Sequence, residues 1–204
     1  MTGSQAVSAC SPLPRPVWTP TPVLADAHGD AFEVAAAVLG LGDGVAVFPG
    51  AEPTPNARRR TFTDASRLAE YRRQRPDTVF SLRLGDGGGG VVALEVPATP
   101  DAVFGLAELA SDLGTLPLTV TMVEAARRWH LFRLPQGVTT PTGKVLLGVD
   151  GVLVRGNGQS LPMRPSFNAW AQGAAPGETP IANMPAAWAA MARPNGRSVS
   201  TVLV

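Results

Sequence analysis

The chain has 204 residues, 45% of them hydrophobic and 16% charged, with a formal net charge of +1. That length holds one domain with a full core, and the near-neutral balance gives no global attraction to a polyanion, leaving only local basic patches. A single cysteine, Cys10, excludes an internal disulfide framework and a Cys-based zinc site, and no apolar run approaches the ~18 residues of a membrane span.

Met1 to Pro22 carries five prolines between Pro12 and Pro22 among Ser and Thr, so residues 1–25 read as an extended leader. It lacks a cationic-then-apolar start, so no secretory signal is expected, and the lone cysteine fits a reducing, cytoplasmic location. Asp26 to Leu41 has helical spacing through Phe32, Ala35, Val38 and Leu39. Val45 to Phe48 is a short strand stopped by Pro49 and Gly50. A polar loop follows and ends in Arg58, Arg59 and Arg60, the densest positive charge in the chain. Such a run reads either as a phosphate contact or as a solvated loop.

Thr63 or Asp64 caps a second helix to about Arg73, which Pro76 ends. Val79 to Leu84 is the next strand. Asp86 and four glycines then turn the chain into Val91 to Val96, so these two strands are expected to form a hairpin. VVALEVP is apolar except for Glu95, a carboxylate that is costly in a buried strand unless paired, hydrated or metal-bound. Asp101 to Leu113 has a strong helical period through Val103, Phe104, Leu106 and Leu109, and Gly114 stops it. Leu118 to Val123, Trp129 to Leu134, Val145 to Val149 and Val152 to Val154 are β-like. RGNG (Arg155 to Gly158) is a tight turn, Ser160 to Ser166 leads into a loop, and Pro185 to Ala192 is a short helix. The domain spans 26–192, and 193–204 is a tail. Short strands interleaved with helices make an α/β or α+β sheet protein without internal repeats.

Common chemical motifs are missing. No Gly-Lys-Ser/Thr follows Gly87 to Gly90, no helix follows the later glycine turns, no Gly-x-Ser-x-Gly occurs, and His28 and His130 have no paired ligand spacing.

The order of pieces carries more. VAVFPGA (Val45 to Ala51), FTDASRLAEYRRQRPDTVFSLRLG (Phe62 to Gly85), GVVALEVP, HLFRLPQGV (His130 to Val138), VRGNGQSLPMRPS (Val154 to Ser166) and MPAAWAAMA (Met184 to Ala192) follow one another over about Ala35 to Ala192. This series resembles the N-terminal primase–polymerase (prim-pol) domain of bifunctional replication proteins from plasmids, phages and other mobile elements, in the archaeo-eukaryotic primase superfamily. The resemblance implies an α+β fold, with an RRM-like core of mixed and antiparallel short strands flanked by helices. It implies DNA replication, with single-stranded or primed DNA and nucleotides as partners, and Mg²⁺ or Mn²⁺ as cofactor if active. Such domains are usually fused to a helicase or helix-bundle region, so a separately encoded replication protein is a further expected partner.

In that family two aspartates, two apart on one strand, and a third on a neighbouring strand hold the metals, while a histidine contacts phosphate. Mapped residue by residue, Glu95 takes the first acidic position, Pro97 the second and Leu153 the third, with Asp150 three residues earlier. An ungapped match places Trp129 on the histidine position, with His130 facing the other way, whereas a one-residue deletion within the strand keeps His130 in that position. Glu95 and His130 are therefore the candidate catalytic residues, and Glu95 and Asp150 the candidate metal ligands. Arg58, Arg59, Arg60, Arg128 and Arg155 are candidate phosphate or nucleic-acid contacts, with Arg127 and Arg164 adding charge and Trp129 a stacking surface. Three readings follow: an eroded metal site on a fold that binds nucleic acid or nucleotide, an active metal-dependent primase or polymerase, and an interaction domain with an apolar patch around Trp170 and Trp188.

Overall fold

The computed structural model describes residues 31–42, 44–50, 60–124, 126–149, 151–163, 169–171 and 173–192. The leader, Arg58, Arg59, Asp150, Arg164 and the tail lie outside the described residues.

The fold is α+β, with two largely antiparallel sheets. Helix α1 (Ala31–Leu39) buries Phe32, Ala35 and Val38. Helix α2 (Ala65–Gln74) starts because the Asp64 carboxylate accepts from the Ser66 N–H at 2.6 Å and the Ser66 hydroxyl at 2.7 Å. It stops at Arg75, before Pro76. Both helices belong with a small sheet of order β1-β2-β8, made by β1 (Val47–Pro49), β2 (Phe80–Arg83) and β8 (Ser160–Met163). Edge-to-face contacts of Phe80 with Phe32 (4.8 Å) and Phe62 (6.2 Å) tie sheet to helices.

The large sheet has the order β6-β7-β3-β5-β4-β9, with the two-residue β10 (Ala182–Asn183) parallel to β5. Its members are β3 (Val91–Pro97), β4 (Thr121–Glu124), β5 (Arg127–Arg133), β6 (Lys144–Leu146), β7 (Leu153–Arg155) and β9 (Ala169–Trp170). Strand β3 is central and covered on both faces, which is why it reads as a nearly continuous apolar run. Val91 and Ala93 join the core made with α1, α2 and the small sheet. Val92, Leu94 and Val96 face the other way, into a second core with helices α3 (Pro100–Leu113) and α4 (Ala186–Met191). Thr99 caps α3, accepting from the Ala102 N–H at 3.3 Å.

Three expectations are corrected. The strands before and after the glycine run do not form a hairpin: β2 pairs with β1 and β8, and β3 with β5 and β7. A 3₁₀ turn at Asp86–Gly88, followed by Gly89 and Gly90 at φ 70° and 73°, swings the chain from one sheet into the other. Only a single bridge, Gly85 to Val91, survives of the hairpin among the described residues. Ser160–Met163 is a strand, because β2 offers it an edge that local sequence does not reveal. In α3 the apolar period overstates burial, since Phe104 is 64% exposed.

Candidate functional site

Side chains alternate along β3, so Val91, Ala93, Glu95 and Pro97 share one face. The register puts Glu95 opposite Trp129 on β5 and Leu153 on β7. Arg127 and Arg155 lie two positions away on those neighbours and share the face. Glu95 is 5% exposed, and both its oxygens are engaged. Arg127 Nη1 donates to Oε1 at 2.5 Å, and Arg155 Nε donates to Oε2. Arg127 also pairs with Glu124 at 3.6 Å. Burial pushes the Glu95 carboxyl up, but hydrogen bonding and charge from Arg155 and then Arg127 outweigh it, leaving its pKa below the usual carboxylate value.

Trp129 stands directly opposite Glu95. It is not a stacking surface. The ring is 5% exposed, and the Arg127 guanidinium lies 5.9 Å over it. Its indole N–H is buried without an acceptor. Lys144, exposed, pairs in register with Arg155 and extends the cationic row. Among the described residues, three cations, Arg127, Arg155 and Lys144, therefore stand against two carboxylates, Glu95 and Glu124.

The remaining candidates among the described residues are not gathered there. His130 pairs with Leu94, so it lies on the opposite face from Glu95. Its Nδ1 is 2.9 Å from the Thr121 hydroxyl, and burial, reinforced by the Arg128 charge, pushes its pKa down to about 4. Arg128 shares that opposite face, registering with Val96. Arg60 is exposed next to the undescribed loop.

Among the described residues, the donor set around Glu95 does not fit a divalent metal. Such ions need several oxygen ligands, yet Glu95 has both oxygens in ion pairs, Pro97 has no side-chain donor, and Leu153 is apolar. Among the described residues no group of three His, Cys, Asp or Glu is placed to hold a metal. Two guanidiniums supply positive charge at this carboxylate instead.

A family model described as bifunctional DNA primase/polymerase, N-terminal, matches residues 37–187. The chain belongs to that family. No curated protein and no solved structure matches it. Among the described residues of this prim-pol domain no helix is long and apolar enough to cross a membrane.

Sequence reasoning named Arg127 only as loose charge and missed its bond to Glu95. The signal was there: Arg127 is two residues from Trp129 and so shares its face. The cluster of Asp86, Thr140 and Asn157 was also missed. Asp86 accepts from the Thr140 hydroxyl and from Asn157 Nδ2 (2.9 Å), and its own N–H donates to Asn157 Oδ1 at 2.8 Å. This network ties the glycine turn to the RGNG turn. No local pattern announces a pairing across 71 residues.

Proposed function

We propose that this prim-pol domain acts by binding nucleic acid or nucleotide, on a site where arginines have taken over the charge role of metal ions. The observation that carries the reading is the double ion pair on Glu95. A carboxylate held this way is a poor metal ligand, because a metal must displace two charge-assisted hydrogen bonds. The exposed edge of Arg127 and the exposed Lys144 present cations to a phosphate backbone. Family membership supports a place in DNA replication, and the site residues shape the manner of action.

Trp188 does not serve the interaction-domain reading. It is fully buried and its indole N–H donates to the Gly114 carbonyl at 2.8 Å, so it is a core residue.

The test is primer synthesis and extension by the purified chain on single-stranded and primed DNA, with Mg²⁺ or Mn²⁺ and a Glu95→Ala control. The expected result is no incorporation, with DNA retained at low salt and released as salt rises. Incorporation that Glu95→Ala abolishes overturns the reading.

A further inference from the structure

The two arginines on Glu95 are not held alike. Arg155 sits deep, its side chain 15% exposed, and its Nε donates to Glu95 Oε2. Arg127 is 40% exposed and meets Glu95 Oε1 through one terminal nitrogen, Nη1, at 2.5 Å. Its other contacts are looser. Glu124 lies 3.6 Å from its Nε, and the Trp129 ring centre lies 5.9 Å from the guanidinium carbon.

This asymmetry decides which arginine can change partner. Glu95 sets a carboxylate oxygen on Arg127 where a phosphate oxygen would make the same charge-assisted bond. A phosphate backbone arriving at this face therefore competes with Glu95 for one guanidinium. When Arg127 turns away, Glu95 keeps Arg155, so the buried carboxylate is not left without a partner. Arg155 is too enclosed to make the same move. Lys144, exposed and in register beside Arg155, attracts the same backbone.

We propose that Arg127 is an exchangeable contact, passing from Glu95 to a DNA phosphate while Arg155 stays on the carboxylate, and that Glu95 thereby limits the affinity of this face for DNA. The inference rests on the DNA-binding reading and names the residue that tunes it. Its sign is distinctive. Removing the Glu95 charge tightens binding, whereas removing a metal-ligating acid weakens it. Glu124 provides the comparison, an acid of the same charge beside the same arginine but at a longer distance.

The experiment measures binding of a fluorescein-labelled oligo-dT strand to the full chain by anisotropy across a salt series, for the unaltered protein, Glu95→Gln and Glu124→Gln. Glu95→Gln should bind about fivefold tighter or more at low salt, with a salt slope steeper by about 0.7. Glu124→Gln should gain less than about twofold. Equal gains in the two variants are a bulk charge effect and overturn the exchange, as does a Glu95→Gln that binds no tighter than the unaltered chain. The DNA-binding reading survives either result. If neither the unaltered chain nor Glu95→Gln binds, that reading fails and the exchange with it. A second measurement needs no substitution. On adding the strand to the unaltered chain, the NMR signals of Arg127 Nε–H and the Trp129 indole N–H should move, because the guanidinium leaves the ring, while Arg155 Nε–H stays in place. Binding that leaves the Arg127 and Trp129 signals unmoved overturns the proposal, even where Glu95→Gln folds poorly.

Discussion

The two faces of β3 and β5 solve opposite problems with the same backbone. On one face Glu95 is buried charged, and two arginines arrive from the strands on either side to hold it. On the other face His130, one residue from Trp129, is half-buried and neutral, with a threonine hydroxyl as its polar partner. A β-strand's period of two separates these environments by a single residue. Burial alone therefore does not set the charge state of a group. The charged form persists where guanidiniums lie within hydrogen-bond reach, and the neutral form where none bonds the ring.

The largest effect expected from breaking this contrast is on stability. Arg155→Met leaves Glu95 buried with one partner, and urea denaturation should show a loss of about 3–5 kcal/mol, the usual cost of orphaning a buried charge. A loss below about 1 kcal/mol contradicts a buried, coupled pair.

Acid denaturation sharpens the contrast, because the two faces fail in different pH windows. His130 has a folded pKa of about 4 against an ordinary value of 6.5. The unfolded chain takes up this proton first, so stability is complete above 6.5 and falls as pH drops towards 4. The span corresponds to about 3 kcal/mol. Glu95 has a folded pKa below its ordinary value of 4.5, so its contribution is complete above 4.5 and is lost as pH falls through the lowered folded value. His130→Phe should flatten the stability profile between pH 6.5 and 4. Glu95→Gln should flatten it only below 4.5. Identical profiles for the two variants contradict the assignment of charge states to the faces.

Arg127→Met should cost less, about 1 kcal/mol by the same denaturation, because that side chain is 40% exposed and solvent screens its pair. The smallest change is expected at Phe104, which is exposed on α3: Phe104→Gln should leave the melting temperature within about 2 °C.

Much of the scaffold was legible in the residues. Asp64, one of the two caps expected, starts α2, and Gly114 ends α3. That Trp129 and His130 face opposite ways follows from strand alternation. What could not be read is non-local. The Glu95 pairs depend on β5 and β7 flanking β3, a matter of sheet order that no short window encodes. The hairpin expectation failed for the same reason: Val79 to Leu84 and Val91 to Val96 look like neighbours in sequence, yet β8, nearly eighty residues on, is the partner of β2.

The central claim is that arginines, and not a metal ion, hold Glu95. Titrating the folded chain with Mn²⁺ while recording amide spectra tests it most directly, since the ion broadens signals near its site. The account predicts that Ala93 to Pro97, Arg127 to Trp129 and Leu153 to Arg155 stay sharp at millimolar Mn²⁺. Selective broadening of those residues, removed by Glu95→Gln, would contradict it.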